Sequence, residues 1–246
     1  MKGLENLRIQ IAPVGFEIDR IVIPAKRLKA DRLYLLMHSN PSADKATSYA
    51  GRIREALGPD IEVRDISADR SNLFEVIRTV REVLELEEDG TIYVNVASGS
   101  KIQALGCMMA CMMAKDRRNI RPFYPEAEEY AGFKGTQQST GVGEIQQLPT
   151  FEIHTPRADL IQVLGIVREN GGRITKKKLA EIADEKGLVK INAKKDNYSQ
   201  VRYTTLDKNI IRPLKDQWNL ISVNKVGRNH HVELTEEGRN LSEFLA

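Results

Sequence analysis

The chain has 246 residues, of which 41% are hydrophobic and 29% are charged, and this composition is typical of a soluble globular protein with one large or two ordinary domains. Its apolar runs stay short of the roughly 20 residues that span a bilayer, and its N-terminus lacks a signal-peptide pattern. We therefore expect a cytoplasmic protein without membrane contact. Its two cysteines, Cys107 and Cys111, are one helical turn apart in an apolar segment, which argues against a disulfide framework and indicates core packing.

Charge is distributed unevenly along the chain. Residues 1–152 carry 20 Lys and Arg against 22 Asp and Glu, whereas residues 153–246 carry 17 against 12. The acidic front and the basic rear predict two domains, 1–152 and 153–246, with different partners. A polyanion is the expected partner of the second domain.

Residues 1–152 alternate between strand-like and helix-like segments. The predicted strands are residues 8–12, 31–38, 61–66, 91–96 and 119–124, and the predicted helices are 17–27, 44–57, 71–86 and an apolar helix after residue 100. Such alternation predicts an α/β domain of the Rossmann-like kind, with a mostly parallel sheet covered on both faces. Ligands of these sheets bind beyond the carboxyl ends of the strands, near a topological switch point.

The clearest functional signal is TIYVNVASGSKIQAL at residues 91–105. Its first residues predict a strand buried on both faces, and a Ser/Gly turn then leads into the apolar helix. The helix N-terminus, two serine hydroxyls and the Lys101 ammonium meet at this turn, which favours anion binding and phosphate above all. The alternative is an ordinary strand-to-helix turn with a serine N-cap.

Two further turns follow strands at the same edge of the predicted sheet. The first, PVGF at residues 13–16, has a glycine that permits close backbone approach, and its Phe16 either stacks on a base or packs in the core. The second, at residues 39–42, is polar. We place a ligand pocket at these turns, and its candidate residues are Val14, Gly15, Phe16, Ser39, Asn40, Ser98, Gly99, Ser100, Lys101 and Gln103.

Residues 131–149 are rich in Gly, Thr, Gln and Ser. They predict a surface hairpin near the pocket, followed by a strand. Contact of Lys134, Thr136 and Gln137 with a ligand is the alternative.

Residues 153–246 predict a small winged helix-turn-helix domain. The first predicted helix has Pro156 in its first position and ends at Gly171. The second helix, at 176–186, is capped by Thr175, and the third, at 198–218, is kinked or broken at Pro213. Strands at 220–223 and 231–234 then flank a basic hairpin, and a last helix is capped by Thr235.

A winged helix inserts its third helix into the major groove of DNA, where Gln, Arg, Tyr and Thr side chains read base edges and phosphates. Lysines at the start of the second helix contact backbone phosphates, or alternatively form a solvated helix face. The candidate DNA contacts are Thr175, Lys176, Lys177, Lys178, Ser199, Gln200, Arg202, Tyr203, Thr204, Lys208, Arg228, Asn229 and His230.

The whole chain resembles archaeal transcription regulators that join a CARF domain, the CRISPR-associated Rossmann fold, to a C-terminal winged helix. The resemblance rests on the strand–PVGF–helix start, on VNVASGSKIQAL at residues 94–105, and on the helix–helix–helix–hairpin end. It implies a homodimer whose front domains share a pocket for a cyclic oligoadenylate, most often cyclic tetra-adenylate. Ser98, Gly99, Ser100 and Lys101 would then hold phosphates, and Gly15 and Phe16 would lie near a base. Many family members have a second glycine where this chain has Ser100.

The function we expect is therefore a ligand-responsive regulator that binds double-stranded DNA. We assign no catalytic residue, no metal ligand and no cofactor besides the nucleotide effector. Two alternatives stay open. One is a ring nuclease that slowly cleaves its cyclic oligoadenylate, with Ser98 or Ser100 and Lys101 stabilising the transition state. The other is a DNA-binding protein that needs no effector.

Overall fold

The computed structural model describes residues 6–114, 119–130, 136–190 and 197–245. The chain divides into two compact units, Met1–His154 and Thr155–Ala246, and each is described by itself.

The first unit alternates strands and helices as the sequence predicts. Its strands are Arg8–Pro13 (β1), Arg32–His38 (β2), Glu62–Ala68 (β3), Thr91–Asn95 (β4), Ile120–Pro125 (β5) and Ile145–Gln147 (β6). Its helices are Asp19–Arg27 (α1), Thr47–Leu57 (α2), Leu73–Leu86 (α3) and Lys101–Met113 (α4), and a short 3₁₀ turn lies at Pro41–Ala43.

The six strands form one sheet in the order β3-β2-β1-β4-β5-β6. The first five are parallel, and β6 pairs antiparallel with β5. The strand order reverses between β1 and β4, so the turns after these two strands lie at the topological switch point. The predicted α/β fold class with a Rossmann-like sheet is confirmed.

Helices cover the two faces of this sheet, as right-handed crossovers require. On one face α1 and α2 bury a cluster that includes Ala12, Ile21 and Ile53. On the other face α3 packs against α4. There Gly106 allows close approach, since a Cβ on it would lie 2.5 Å from Val76 Cγ1.

The two cysteines lie in the interior of the first unit, on α4. Burial raises the pKa of the Cys107 thiol far above its ordinary value and that of Cys111 to about 12. Both thiols are therefore uncharged core groups at neutral pH, as predicted.

The second unit contains four helices and a small sheet among its described residues. The helices are Ala158–Glu169 (α5), Lys176–Glu185 (α6), Tyr198–Leu206 (α7) and Glu236–Leu245 (α8), and the strands are Arg173–Thr175 (β7), Ile221–Val226 (β8) and Asn229–Leu234 (β9). The antiparallel sheet has the order β7-β9-β8. The predicted winged helix-turn-helix is confirmed, with β7 as a strand that the sequence did not predict.

The start of α5 differs from the prediction. Pro156 does not occupy the first helical position, because Arg157 is the N-cap and has extended backbone torsions. The Arg157 guanidinium pairs with Asp159 and donates to the Asn209 carbonyl oxygen at 3.0 Å, which holds the residue outside the helix.

The predicted break at Pro213 takes the form of wider helical turns. Beyond α7 the helix continues through two π-helical segments, Asp207–Ile211 and Pro213–Gln217. Proline lacks the N–H that a regular turn would use, so the backbone is rewound around it. None of the described helices is long and apolar enough to cross a membrane.

Candidate functional site

The turns after β1 and β4 lie in direct backbone contact at the switch point. A Cβ on Gly15 would lie 2.8 Å from the Gly99 nitrogen and 2.9 Å from its Cα. Gly99 itself has φ +78°, and a Cβ there would lie 2.5 Å from Pro13 Cβ. Both positions need glycine, and the PVGF turn (residues 13–16) and the SGSK turn (residues 98–101) form one rigid corner.

A reciprocal hydrogen-bond pair fixes the start of α4. The Ser100 hydroxyl accepts from the Gln103 N–H at 3.1 Å, while Gln103 Oε1 accepts from the Ser100 N–H at 2.9 Å. The Ser100 hydroxyl also donates to the Arg70 carbonyl oxygen at 3.2 Å. Gln103 is 1% exposed, so its role in this structure is to position the turn, and it would contact a ligand only after the cap had opened.

Ser98 and Lys101 are placed differently at the same corner. Ser98 is 1% exposed, and its hydroxyl has no hydrogen-bond partner among the described residues. The Lys101 side chain is exposed in the first turn of α4, where the helix dipole is positive. An anion at this corner would meet the Lys101 ammonium group and backbone N–H groups, and it would reach the buried Ser98 hydroxyl only after the turn had opened.

The other predicted ligand residues are spread over the same edge of the sheet. Val14 is buried, whereas Phe16 is half-buried and meets the Tyr49 ring edge-to-face at 5.6 Å between centroids. Ser39 and Asn40 are exposed after β2, and the Asn40 N–H donates to His38 Nδ1 at 3.2 Å.

Part of the segment predicted as a surface hairpin is buried and holds α1 in place. Gln137 Oε1 accepts from the N–H groups of Ile18 and Asp19, at 2.6 and 3.0 Å. Ser139 is fully buried and donates to Glu17 at 2.6 Å. Gln137 thus caps α1. The periodicity of the sequence does not predict this long-range contact. Lys134 lies outside the described residues.

A buried ion pair that the sequence did not predict lies beside the PVGF turn. Arg20 Nη1 lies 3.1 Å from Glu17 Oε1, and both side chains are buried. Burial lowers the pKa of the Arg20 guanidinium, but the Glu17 carboxylate and the Tyr124 hydroxyl together raise it, and the pKa is raised overall. The Arg20 guanidinium therefore stays charged, and its contact with Glu17 fixes the orientation of α1 at the pocket edge.

In the winged helix domain, four of the predicted DNA contacts on the third helix are exposed: Ser199, Gln200, Thr204 and Lys208. Tyr203 is half-buried and packs against the domain core. Arg202 lies 3.4 Å from Asp184, and Tyr198 donates to the same carboxylate at 2.8 Å. This hydrogen bond raises the pKa of Tyr198. Arg202 would reach DNA only after its ion pair had opened.

The other predicted DNA contacts lie at the start of α6 and at the tip of the β8–β9 hairpin. Thr175 caps α6 by accepting from the Lys178 N–H at 3.2 Å, and Lys176 pairs with Asp207 at 2.5 Å. Lys177 and Lys178 are exposed, and Lys178 Nζ donates to Asn170 at 2.9 Å. At the hairpin tip the exposed residues are Arg228, Asn229 and His230.

These observations define a two-part class of protein, in which a Rossmann-like domain with a Ser/Gly corner at its switch point precedes a winged helix. The chain belongs to the family described as HFX_2341_N-like, N-terminal, which matches residues 8–130. Residues 159–246 match the DUF6293 C-terminal winged helix domain. The sequence-based recognition of this two-part organisation is confirmed.

Three individual proteins illustrate the similarity. The uncharacterized protein MJ1513 of Methanocaldococcus jannaschii is 25% identical over 215 residues, which cover 75% of this chain and 64% of that protein. Csm6 of Enterococcus italicus, bound to cyclic hexa-2'-fluoro-hexa-dAMP, is 10% identical with a TM-score of 0.44, covering 87% of this chain and 56% of that one. Can2 of Sulfobacillus thermosulfidooxidans, in complex with cyclic tetra-adenylate, is 15% identical with a TM-score of 0.42. The match covers 96% of this chain and 61% of that one. The chain thus spans less than two thirds of each of these proteins.

Proposed function

We propose that this protein is a DNA-binding transcription regulator whose first unit senses a cyclic oligoadenylate or a similar nucleotide. The observation that carries the proposal is the glycine-to-glycine contact between the PVGF and SGSK turns. It builds a rigid anion-binding corner at the position where Rossmann-like sheets bind ligands. The resemblance to CARF regulators makes cyclic tetra-adenylate the first ligand to test.

The residues of the corner are better suited to binding a cyclic nucleotide than to cleaving it. Neither residues 13–16 nor residues 98–101 include a histidine or a carboxylate that could act as a general base. We therefore propose that the ring is bound and not turned over. Incubation with labelled cyclic tetra-adenylate would reveal ring-nuclease activity as linear product.

The second unit supplies the DNA-binding part of the proposal. Residues 153–246 carry a net charge of +5 from 17 Lys and Arg against 12 Asp and Glu. Exposed Gln200 and Thr204 on the third helix have side chains that pair with base edges, and exposed lysines and Arg228 supply phosphate contacts. We infer that this surface binds double-stranded DNA.

Helix α4 provides a route from the corner toward the second unit. It begins at the SGSK turn, and near its other end the Met112 carbonyl oxygen accepts from the Ile153 N–H at 3.1 Å. Ile153 lies two residues before the second unit begins. A ligand that shifts α4 would therefore move the connection to the winged helix, provided that it binds one position of α4 more tightly.

Replacing Lys101 by alanine should weaken cyclic tetra-adenylate binding about tenfold or more, because a charge-assisted contact to phosphate is lost. Isothermal titration calorimetry measures this change. The matched control is Arg78→Ala, which removes an exposed cation from α3 and should leave the affinity unchanged. Wild-type affinity in Lys101→Ala would contradict the placement of the phosphates at the SGSK turn.

We also propose that the outward side of α4 forms the homodimer contact. It is apolar, with Ile102, Met109 and Met112 half-buried and Leu105 56% exposed. Solvent-facing apolar surface of this kind marks interaction sites. A twofold axis beside α4 would bring two SGSK turns together around one symmetric ring.

Leu105→Glu should raise the dimer dissociation constant about tenfold or more, since a carboxylate would be buried unpaired in the contact. Analytical ultracentrifugation measures the effect. Leu86→Glu is the control, because Leu86 is likewise exposed, at 67%, but lies on α3 and is not one of the proposed contact residues. A dimer equally stable in Leu105→Glu and wild type would place the interface elsewhere.

A further inference from the structure

A cavity of about 370 Å³ lies between α2 and β3, at the carboxyl ends of β2 and β3. Its apolar side chains are those of Met37 and Ala50. Its volume falls in the range of small-molecule sites, which are mostly apolar with a few placed polar groups. The SGSK turn does not contribute to it.

Hydroxyl groups and one imidazole supply the polar part of this cavity. The hydroxyls belong to Ser39, Thr47 and Ser67. His38 Nδ1 accepts the Asn40 N–H at 3.2 Å, so in the neutral ring the proton resides on Nε2, which is a hydrogen-bond donor. Such a set of donors and acceptors between apolar walls matches a flat ring with polar edges.

An ion pair closes one side of the cavity. Arg54 Nη2 donates to Asp65 Oδ1, which links α2 directly to β3. Both residues line the cavity. Their charges are paired with each other, so this wall favours a neutral group over a phosphate.

Gly51 keeps the mouth of the cavity open. It lies in the middle of α2, on the same helix face as Thr47 and Arg54, and all three line the cavity. A Cβ on Gly51 would meet nothing within 4 Å, so packing does not require glycine here. Glycine inside a helix is less favourable than alanine, because it loses more conformational freedom on folding. Its presence is explained if a side chain at this position would fill the cavity.

We propose that this cavity binds a nucleobase of the ligand whose phosphates lie at the SGSK turn, an inference that rests on the proposed function. In the sheet, β1 alone lies between β2 and β4. Neighbouring strands are about 4.8 Å apart, so the carboxyl ends of β2 and β4 are about 10 Å apart. The base would lie against Met37, with its edge toward the Ser67 hydroxyl, since these two register partners face the same side of the sheet.

Gly51→Leu tests the assignment by filling the cavity from its mouth. Cyclic tetra-adenylate binding, measured by calorimetry on the full chain, should weaken at least tenfold while the melting temperature is maintained. Ser48→Leu is the control, since it adds the same side chain to an exposed position of α2 that does not line the cavity, and its affinity should equal that of wild type.

A second variant keeps the test decisive if Gly51→Leu folds poorly. Ser67→Val removes a cavity hydroxyl from a strand, where valine is well tolerated, and should weaken binding severalfold. If both variants bind like wild type while Lys101→Ala loses affinity, the cavity assignment is overturned and the proposed function stands. If wild-type protein binds no cyclic oligoadenylate, both are overturned.

Discussion

Gly15→Ala is expected to abolish nucleotide binding and to destabilise the first unit by about 2–3 kcal/mol. The new Cβ would lie 2.8 Å from the Gly99 nitrogen and 2.9 Å from its Cα. These are backbone atoms, so no side chain can rotate out of the way, and the PVGF and SGSK turns must separate. Calorimetric titration with cyclic tetra-adenylate and urea unfolding followed by circular dichroism measure the two effects.

Gly143→Ala is the matched control for this experiment. At Gly143 the nearest atom to an added Cβ is Glu128 Cγ at 3.9 Å, an ordinary contact distance. The control should bind and unfold like wild type. If Gly15→Ala did the same, the two turns would not form the rigid corner on which ligand binding is argued to depend.

Gly238→Ala is expected to destabilise the winged helix by about 3 kcal/mol or more, and to abolish DNA binding. Its Cβ would lie 1.9 Å from the Leu220 carbonyl oxygen and 2.9 Å from the carbonyl carbon. The same oxygen accepts from the Thr235 N–H at 3.1 Å, so neither side can retreat without breaking the junction between β8 and α8. Thermal unfolding should shift down by roughly 4 °C or more per kcal/mol.

Asn240→Ala is the control, because it introduces alanine at an exposed position of the same helix. It should leave the melting temperature within a few degrees of wild type. Nucleotide binding by the first unit should persist in Gly238→Ala. An unchanged unfolding transition in Gly238→Ala would show that α8 does not pack on Leu220 as described.

Local patterns in the sequence were sufficient to predict most of the fold. The apolar run before the SGSK turn and the regular spacing of strands and helices predict the parallel sheet, and Thr175 and Ser100 serve as helix caps. The failures involve hydrogen-bond and ion-pair partners that a periodic pattern of apolar residues does not reveal. Arg157 displaces the start of α5 by pairing with Asp159 and Asn209, and β7 is defined only by its partner β9.

The candidate site was predictable where it depends on backbone shape and unpredictable where it depends on side-chain partners. Glycine at positions 15 and 99 is visible in the sequence, although their mutual contact is not. Gln103 and Arg202 were singled out by residue type, yet one is committed to the Ser100 cap and the other to Asp184. The glycine inside the amphipathic α2 was the available signal for the cavity, because a glycine within a helix needs a reason.

The central claim is that nucleotide binding in the first unit changes DNA affinity in the second. The direct measurement is fluorescence anisotropy of a duplex from the promoter of the protein's own gene, at fixed salt, with and without saturating cyclic tetra-adenylate. We predict a change of about fivefold or more in the dissociation constant, absent in Lys101→Ala. Equal DNA affinity with and without a nucleotide that calorimetry shows to be bound would contradict the account.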